Sequence, residues 1–338
     1  MVLRRALTGR VLLRVAAAVV AIVIALNWTY GRLPPTPRPT GSFVQLAGGL
    51  RLRYLERPGA SPAVLLIHGL PGTAEDWNGV TALLPGRRTI AIDRPGYGFS
   101  TGGYFTFPRQ LQAIQEVIDK LHLGRAILVG HSYGGAISLG FAERHPGEVR
   151  GLVLVDAAAT CTRNSAFARD QARLVEAVEL PVLSQIADVT FSQLLRKVSA
   201  ERGDSEAFDP APVAPAHMHR VLAINMKHGN LEAWAGETLA ANGVIEGIDR
   251  GLRGIAVPAV VIQGEQDKLV HPPCGRRLAA TLPNARLQMV SGGHMALYTH
   301  PHVVAAAVQA LAGGGSFHPH EIPAATRALA GAGYSSHR

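Results

Sequence analysis

Short apolar runs alternate with helical patterns along most of the chain, and this alternation constrains the fold more than any other feature of the sequence. Runs such as Ala-Val-Leu-Leu-Ile at 63–67 and Gly-Leu-Val-Leu-Val at 151–155 are typical of strands buried on both faces of a sheet. The predicted strands are 42–46, 50–56, 63–67, 89–92, 126–129, 151–155, 259–263 and 286–290. The helical patterns between them are 75–84, 108–121, 133–145, 273–282 and 301–312. We therefore expect an α/β protein whose eight-stranded, mostly parallel sheet carries helices on both faces.

One long interval interrupts this alternation. Residues 157–254 contain no convincing strand, and their pattern is helical with polar breaks. Such an interval is too long for a structureless loop inside a domain, so it predicts a helical cap inserted after the sixth strand. The core that carries the sheet then occupies residues 42–156 and 255–312. The small and polar residues of 313–338 predict a loose C-terminal tail.

The N-terminal segment 1–30 has the composition of a membrane anchor or a signal segment. Four arginines lie in its first fourteen residues, and residues 15–26 then contain no polar side chain. The stretch 11–30 is long enough to cross a bilayer and places Trp28 and Tyr30 at the far headgroup layer. We expect a single-pass anchor whose arginine-rich end stays in the cytoplasm and whose folded body lies on the other side. Secretion after signal cleavage near residue 31 is the alternative.

A proline-rich stretch follows this segment. Residues 31–41 contain four prolines and predict an extended linker between the membrane segment and the folded body.

The net charge of +9 does not indicate a nucleic-acid-binding protein. Six of these positive charges lie in residues 1–40, and the body shows no cluster of Lys and Arg with interleaved aromatic residues. No phosphate loop or dinucleotide-binding pattern follows a predicted strand, so we expect no cofactor, and we expect no metal. The two cysteines, Cys161 and Cys274, allow either one disulfide in an oxidising compartment or two free buried thiols.

The chemistry of the chain is indicated by Gly-His-Ser-Tyr-Gly at 130–134, which lies between a predicted strand and a predicted helix. This pattern describes a sharp turn that exposes the Ser132 hydroxyl at a helix N-terminus. A serine nucleophile needs a histidine base and a carboxylate that orients it, and in this chain order the acid comes first. Asp267 directly follows the seventh predicted strand and His294 the eighth, so they are the predicted partners.

Two other carboxylates compete for the role of the acid. Asp156 follows the sixth predicted strand and is the main rival, although a loop-capping role explains it better. Glu265 is the weaker rival.

Acyl transfer also needs hydrogen-bond donors for a developing oxyanion. The backbone N–H of Tyr133, the residue after the serine, is one candidate. The second is the backbone N–H of Leu70, in the loop His-Gly-Leu-Pro-Gly at 68–72 after the third predicted strand. We interpret His68 as a brace for this loop and His131 as a packing residue beside the turn.

These motifs resemble those of the α/β-hydrolase fold superfamily, and the resemblance covers residues 42–312. The matching pieces, in the family's order, are 68–72, Asp-Arg-Pro-Gly-Tyr-Gly-Phe-Ser at 93–100, 130–135, the segment ending at Asp267, and Gly-Gly-His at 292–294. The resemblance implies the eight-stranded core and a cap after the sixth strand. It also implies that Ser132 is the nucleophile, Asp267 the acid and His294 the base.

Two of these loops, 68–72 and 93–100, are similar to those of epoxide hydrolases and haloalkane dehalogenases. Those enzymes use an aspartate nucleophile, because alkyl attack must leave an ester that water can cleave. Ser132 would form an ether instead, and both activities are therefore disfavoured.

The predicted function is a serine hydrolase that cleaves a small or medium, apolar carboxylic ester through an acyl-enzyme on Ser132. A lipid-like substrate fits the predicted anchor and cap. The alternatives are a C–C bond hydrolase, a perhydrolase or a small-peptide hydrolase with the same triad, and a binding protein that keeps the fold without turnover. The substrate and the oligomeric state stay open at this point.

Overall fold

Eight strands form one sheet in the computed structural model, which describes residues 2–164, 166–178 and 181–313. The strands are β1 (Ser42–Gln45), β2 (Arg51–Arg57), β3 (Ala60–Ile67), β4 (Arg87–Ile92), β5 (Ala126–His131), β6 (Val149–Val155), β7 (Ala259–Gly264) and β8 (Ala285–Val290). Their order across the sheet is β1-β2-β4-β3-β5-β6-β7-β8. The β1–β2 and β2–β4 pairs are antiparallel and the other pairs are parallel. The predicted fold class is confirmed, and each predicted strand overlaps an observed one.

Twelve α-helices accompany the sheet within the described ranges. They are α1 (Val2–Tyr30), α2 (Asn78–Ala82), α3 (Phe107–Lys120), α4 (Tyr133–Arg144), α5 (Ala166–Val178), α6 (Pro181–Thr190), α7 (Ser192–Phe208), α8 (Pro215–Arg220), α9 (His228–Gly251), α10 (Pro272–Thr281), α11 (Ala296–Thr299) and α12 (Pro301–Gly313). The helix predicted at 75–84 is shorter than expected at both ends: a 3₁₀ turn (Ala74–Trp77) precedes α2, and α2 ends at Ala82, before the chain turns at Gly86, where φ is +73°.

The two faces of the sheet are buried by different helices, and successive strand residues alternate between them. On β3, Leu65 packs on the face covered by α3, α4 and α10, whereas Leu66 packs on the face covered by α2, α11 and α12. The same alternation separates Leu154 from Val155 on β6. Strands buried on both faces need apolar side chains at every position, which explains the uninterrupted apolar runs.

Helices α5 to α9 lie between β6 and β7. We call the segment from the start of α5 to the end of α9, residues 166–251, the insert. A π-helical turn (Val221–Asn225) lies between α8 and α9. The structure has no strand in the described part of the insert. The boundaries predicted for the cap and the core stay a prediction, and the tail predicted for 313–338 lies, from residue 314 onward, outside the described residues.

A disulfide joins Cys161, just before the insert, to Cys274 on α10, with the two Cα atoms 5.4 Å apart. This separation is within the usual range for a disulfide. The bond closes a loop that contains every helix of the insert, so it ties the insert to the hydrophobic core at α10. The structure therefore decides between the two alternatives that the cysteine count left open.

Helix α1 contacts the body near its C-terminal end, where Asn27 bonds to α6 and α7. Residues Val11–Tyr30 have a mean hydropathy of 2.3 and are long and apolar enough to cross a membrane. Within this stretch Asn27 is buried and Ile24 half-buried, and the other side chains are exposed. The linker 31–41 contains no helix or strand.

Candidate active site

Ser132 lies in a strained turn between β5 and α4. Its φ is +51° and its ψ is −120°, a region that residues other than glycine rarely adopt. The turn is held by the N–H of Ser132, which donates to Val155 O (3.0 Å), and by the N–H of Ala158, which donates to Ser132 O (2.9 Å). The Ser132 side chain is half-buried at the carboxyl end of β5.

The glycines beside Ser132 are required by close packing. A Cβ atom on Gly130 would lie 2.4 Å from the carbonyl oxygen of Gly134. A Cβ atom on Gly134 would lie 2.2 Å from the carbonyl oxygen of Ile67, at the end of β3. The spacing of the Gly-x-Ser-x-Gly pattern thus allows α4 to start directly against the neighbouring strand.

His294 and Asp267 form a hydrogen-bonded pair at the same edge of the sheet. The His294 Nδ1 atom lies 2.8 Å from Asp267 Oδ2. The other oxygen, Oδ1, accepts the backbone N–H groups of Leu269 (2.8 Å) and Val270 (2.9 Å). Asp267 is therefore held in place by the loop after β7, and it in turn fixes the orientation of the His294 imidazole.

Burial and charge act in opposite directions on this pair. Burial lowers the pKa of His294, but the Asp267 carboxylate raises it more, and the net shift is upward from 6.5. Burial raises the pKa of Asp267, but His294 and the two backbone N–H donors lower it more, and the net shift is downward. The carboxylate is thus ionised near neutral pH and favours a proton on His294.

Neither of the two rival acids forms a hydrogen bond with His294 among the described residues. Asp156 accepts the backbone N–H of Gly264 (2.8 Å) on one oxygen and that of Ala296 (3.0 Å) on the other. Burial raises the pKa of Asp156 to about 8, so it is a poor anionic partner for an imidazolium. Glu265 is exposed. The structure therefore pairs His294 with Asp267 and gives Asp156 the role of joining β7 to α11.

His131 connects the serine turn to the His–Asp pair. Its Nε2 atom lies 2.9 Å from the carbonyl oxygen of His294, and the two imidazole rings are 4.9 Å apart between centroids. Burial lowers the pKa of His131 to about 3, so a neutral ring donates this hydrogen bond. Among the described residues, no hydrogen bond joins the Ser132 hydroxyl to His294, and in enzymes without substrate such bonds are often long.

The insert also contacts the His294 loop. The backbone N–H of His294 donates to the carbonyl oxygen of Ala207 at the end of α7 (2.8 Å). A Cβ atom on Gly293 would lie 2.4 Å from the carbonyl oxygen of Asp209. The insert therefore reaches the same edge of the sheet as Ser132.

The loop 68–72 lies directly against the serine turn. A Cβ atom on Gly69 would lie 3.1 Å from Ser132 Cβ and 2.8 Å from His131 Nδ1. His68 braces this loop, because its Nε2 accepts the backbone N–H of Arg94 (2.9 Å) while its Nδ1 contacts Gly69 O (2.9 Å). Leu70 follows Gly69, so its backbone N–H belongs to the segment that approaches Ser132.

A buried ion pair that the sequence did not reveal supports this loop. Arg94 donates to the carbonyl oxygens of His68 (3.0 Å) and Gly69 (2.8 Å). Its guanidinium also forms two hydrogen bonds with Glu237 of α9, at 2.7 and 3.0 Å. Both side chains are almost fully buried, at 0% and 1% exposed. A lone acid on the otherwise apolar face of α9 was the only signal for Glu237 in the sequence.

Three side chains near the serine turn have the residue types of a metal site. Their ligand atoms lie within 4.8 Å of one another, and they belong to His131, Asp156 and His294. Each of the three is already in a hydrogen bond with the protein: both oxygens of Asp156 accept backbone N–H groups, His131 contacts a carbonyl oxygen, and His294 contacts Asp267. The hydrogen bonds of Asp156 account for its burial without a metal ion.

A serine in a strand–turn–helix, next to a His–Asp pair from two later strands, is the arrangement typical of α/β-type hydrolases. The alpha/beta hydrolase fold family model matches residues 62–301. The chain belongs to this family, and the family and its relatives indicate a hydrolase.

The chain is similar to hydrolases with different names. A 2-hydroxy-6-oxononadienedioate/2-hydroxy-6-oxononatrienedioate hydrolase of Burkholderia vietnamiensis is 27% identical over 74% of this chain and 87% of its own length. A 2-hydroxy-6-oxo-2,4-heptadienoate hydrolase of Pseudomonas putida is 38% identical, over only 33% of this chain and 43% of its own length. The solved esterase EaEST of Exiguobacterium antarcticum matches with a TM-score of 0.62 and 21% identity, over 80% of this chain and 99% of its own. At that identity the likeness to the esterase shows the fold alone.

Proposed function

We propose that this protein is a serine hydrolase that cleaves a small or medium, apolar carboxylic ester through an acyl-enzyme on Ser132. The observation that carries the proposal is the 2.8 Å hydrogen bond between His294 and Asp267, at the edge of the sheet where Ser132 stands in its strained turn. The positive φ of Ser132 adds support, because strained backbone is retained where function requires it.

The first half of the reaction forms the acyl-enzyme. The Ser132 hydroxyl oxygen attacks the ester carbonyl carbon, and its proton passes to Nε2 of His294. Asp267 accepts the Nδ1–H hydrogen bond and stabilises the resulting imidazolium. The ester C–O bond then breaks, and the leaving alcohol takes the proton from His294.

The second half returns the enzyme to its starting state. Water attacks the acyl carbon and gives one proton to His294, which then protonates the Ser132 oxygen as the carboxylic acid leaves. In both halves the negative charge develops on the former carbonyl oxygen. The backbone N–H groups of Tyr133 and Leu70 are the proposed donors for that charge, and the close approach of Gly69 to Ser132 supports the second of them.

A C–C bond hydrolase is the second candidate function. It is favoured by the two curated relatives, whose names describe hydrolysis of oxo-dienoate and oxo-dienedioate substrates. The ester is preferred because a substrate with one or two carboxylates needs an available cation, whereas the buried guanidinium of Arg94 is already paired with Glu237. Comparing p-nitrophenyl esters of increasing chain length with a 2-hydroxy-6-oxo-dienoate separates the two functions.

The membrane segment completes the proposal. Residues 11–30 are proposed to anchor the protein, with the arginine-rich end in the cytoplasm and the hydrolase body on the other side; release after signal cleavage is the alternative. The Cys161–Cys274 disulfide supports an oxidising location for the body, because disulfides persist outside the cytosol.

The test is covalent labelling of the full-length protein in detergent with a fluorophosphonate, read by intact mass. We expect one adduct on the native protein and none on Ser132→Ala. Ser138→Ala is the matched control, because Ser138 is a buried serine of α4 whose hydroxyl donates to Gly134 O. It should keep the adduct. A folded native protein that forms no adduct, or an adduct that survives in Ser132→Ala, contradicts the proposed nucleophile.

A further inference from the structure

The end of α1 is attached to the corner where α6 meets α7. The side chain of Asn27 donates to the carbonyl oxygens of Asp188 (2.8 Å) and Val189 (3.2 Å), at the end of α6. Its Oδ1 accepts the backbone N–H of Leu194 (2.9 Å), in the first turn of α7. The last backbone carbonyls and the first backbone N–H groups of a helix lack partners within that helix. The side-chain amide of Asn27 bonds to both kinds of group, at the end of α6 and at the start of α7. Asn27 is only 2% exposed as a result.

Three further contacts join the end of α1 and the linker to the insert. Lys197 of α7 donates to the carbonyl oxygen of Tyr30 (3.2 Å), and the linker residue Thr36 donates to Ala223 O (3.0 Å). Leu33 packs against the hydrophobic cluster of the insert. The membrane segment is therefore attached to the insert, which the hydrogen bond between His294 and Ala207 connects to the candidate active site.

The length of the apolar stretch determines how deep the α6–α7 corner lies in the bilayer. Val11–Tyr30 contains 20 residues, which as a helix measure about 30 Å, the thickness of a bilayer core. Asn27 is three residues from the end, about 5 Å inside the boundary. If α1 spans the bilayer, then the backbone that Asn27 binds lies at the boundary between the headgroups and the acyl chains, where the apolar face of an interfacial helix inserts.

The side chains at this corner suit that boundary. Five large apolar residues are between 40% and 57% exposed there, namely Ile186, Val189, Phe191, Leu195 and Val198. Soluble surfaces seldom expose so many large apolar side chains on two adjoining helices, and such clusters mark interaction sites. Trp28 and Tyr30, which prefer the headgroup region, are exposed at the same level of α1.

We propose that the α6–α7 corner, defined by these five residues, is a membrane-docking surface that inserts at the boundary between the headgroups and the acyl chains beside α1. This inference rests on the proposed membrane attachment through residues 11–30. The inference adds one point to that attachment. The insert faces the bilayer, and so does the edge of the sheet that holds Ser132. A substrate dissolved in the lipid then reaches the site from the membrane rather than from bulk water.

The test measures contact with lipid in the full-length protein, reconstituted into phosphatidylcholine nanodiscs with or without nitroxide-labelled lipid. A fluorophore is attached to single cysteines introduced as Val189→Cys and Leu195→Cys, without reductant so that the native disulfide stays closed. Val19→Cys, in the middle of the apolar stretch, is the reference for the span. Gly147→Cys is the matched control, because it is exposed before β6, at the opposite edge of the sheet, with no atom within 4 Å of a new Cβ.

We expect the nitroxide lipid to quench positions 189 and 195 at least about threefold more than position 147. Quenching at 19 but only control-level quenching at 189 and 195 overturns the docking surface and leaves the anchor standing. Absence of quenching at 19 as well overturns both. A blue-shifted emission at 189 and 195 without quenching by lipid indicates a second copy of the chain as the occupant, which also overturns the proposal. The readout needs no turnover, so it is independent of the proposed esterase chemistry.

Discussion

Neutralising Glu237 probes how the insert is joined to the hydrolase core. Glu237 lies on α9, and Arg94 follows β4 in the core, 143 residues away in sequence. The substitution Glu237→Gln keeps the size of the side chain and one carbonyl acceptor. It removes the negative charge that faces the guanidinium at 2.7 and 3.0 Å.

The magnitude follows from the burial of the pair. Burial lowers the pKa of Arg94, but Glu237 raises it more, so the guanidinium is charged with or without its partner. Removing one member of a buried ion pair costs about 3–5 kcal/mol, because the remaining charge stays buried without compensation. For a domain of this size each kcal/mol lowers the Tm by about 2–4 °C, and the expected decrease is therefore about 6–20 °C.

The assay is thermal unfolding of the detergent-solubilised protein, followed by near-ultraviolet circular dichroism. Glu237→Gln, Arg94→Met and the double variant complete a double-mutant cycle. We expect the double variant to be more stable than the sum of the single effects predicts by about 2 kcal/mol, because it contains no unpaired buried charge.

Two results would refute this reasoning. A decrease of less than about 1 kcal/mol in Glu237→Gln would mean that the pair contributes little across the core–insert junction. Additive single effects would mean that the two side chains act independently. Matched substitution of an exposed pair, Glu56→Gln at its salt bridge with Arg88, is the control and should change the stability by less than about 1 kcal/mol.

The remaining predictions concern the His–Asp pair and the disulfide. Asp267→Asn should lower kcat on a soluble ester by about 10³–10⁴-fold, measured by initial rates, because the imidazolium loses its anionic partner. The ascending limb of kcat/KM against pH should have its midpoint above 6.5, because the pKa of His294 is raised and the base must be deprotonated; Asp267→Asn should move the midpoint down. Replacing Cys161 and Cys274 by serine should lower the free energy of unfolding by about 2–4 kcal/mol, measured by denaturant unfolding.

Each of these outcomes has its own control. Asp156→Asn should lower kcat less than Asp267→Asn, and the opposite order would assign the acid to Asp156. If the ascending limb of kcat/KM against pH had its midpoint at or below 6.5 in the native protein, the negative charge that the structure gives to Asp267 would be contradicted. Reductant should destabilise the native protein but not the double serine variant, and equal stability of all four samples would show that the disulfide contributes nothing.

The fold was predictable because its signals are local. Apolar runs such as that of β3 and β6 need only their own residues to be recognised, and the strained turn at Ser132 requires glycines at fixed positions beside it. The helix predicted at 75–84 was too long because helix periodicity does not show where a 3₁₀ turn begins. The order of Asp267 and His294 along the chain predicted their pairing, since the carboxyl ends of parallel strands meet at one edge of the sheet.

The features that the sequence did not predict depend on contacts between residues far apart in sequence. Asn27 is one polar residue at the end of an apolar run, and only the packing of α1 on α6 and α7 gives it partners. Glu237 lies in an interval without any motif, and Arg94 becomes its partner only when the insert is packed on the core.

By itself, the sequence determined the sheet, the position of Ser132 and the segment able to enter a membrane, because periodicity, glycine spacing and apolar length are properties of short stretches of chain. The tertiary structure decided which carboxylate faces His294, whether Cys161 and Cys274 join, and which face of the insert adjoins the membrane segment. Those outcomes depend on distances of a few ångström between elements, and hydrogen bonds and buried charges are sensitive to such distances whereas sequence patterns are not.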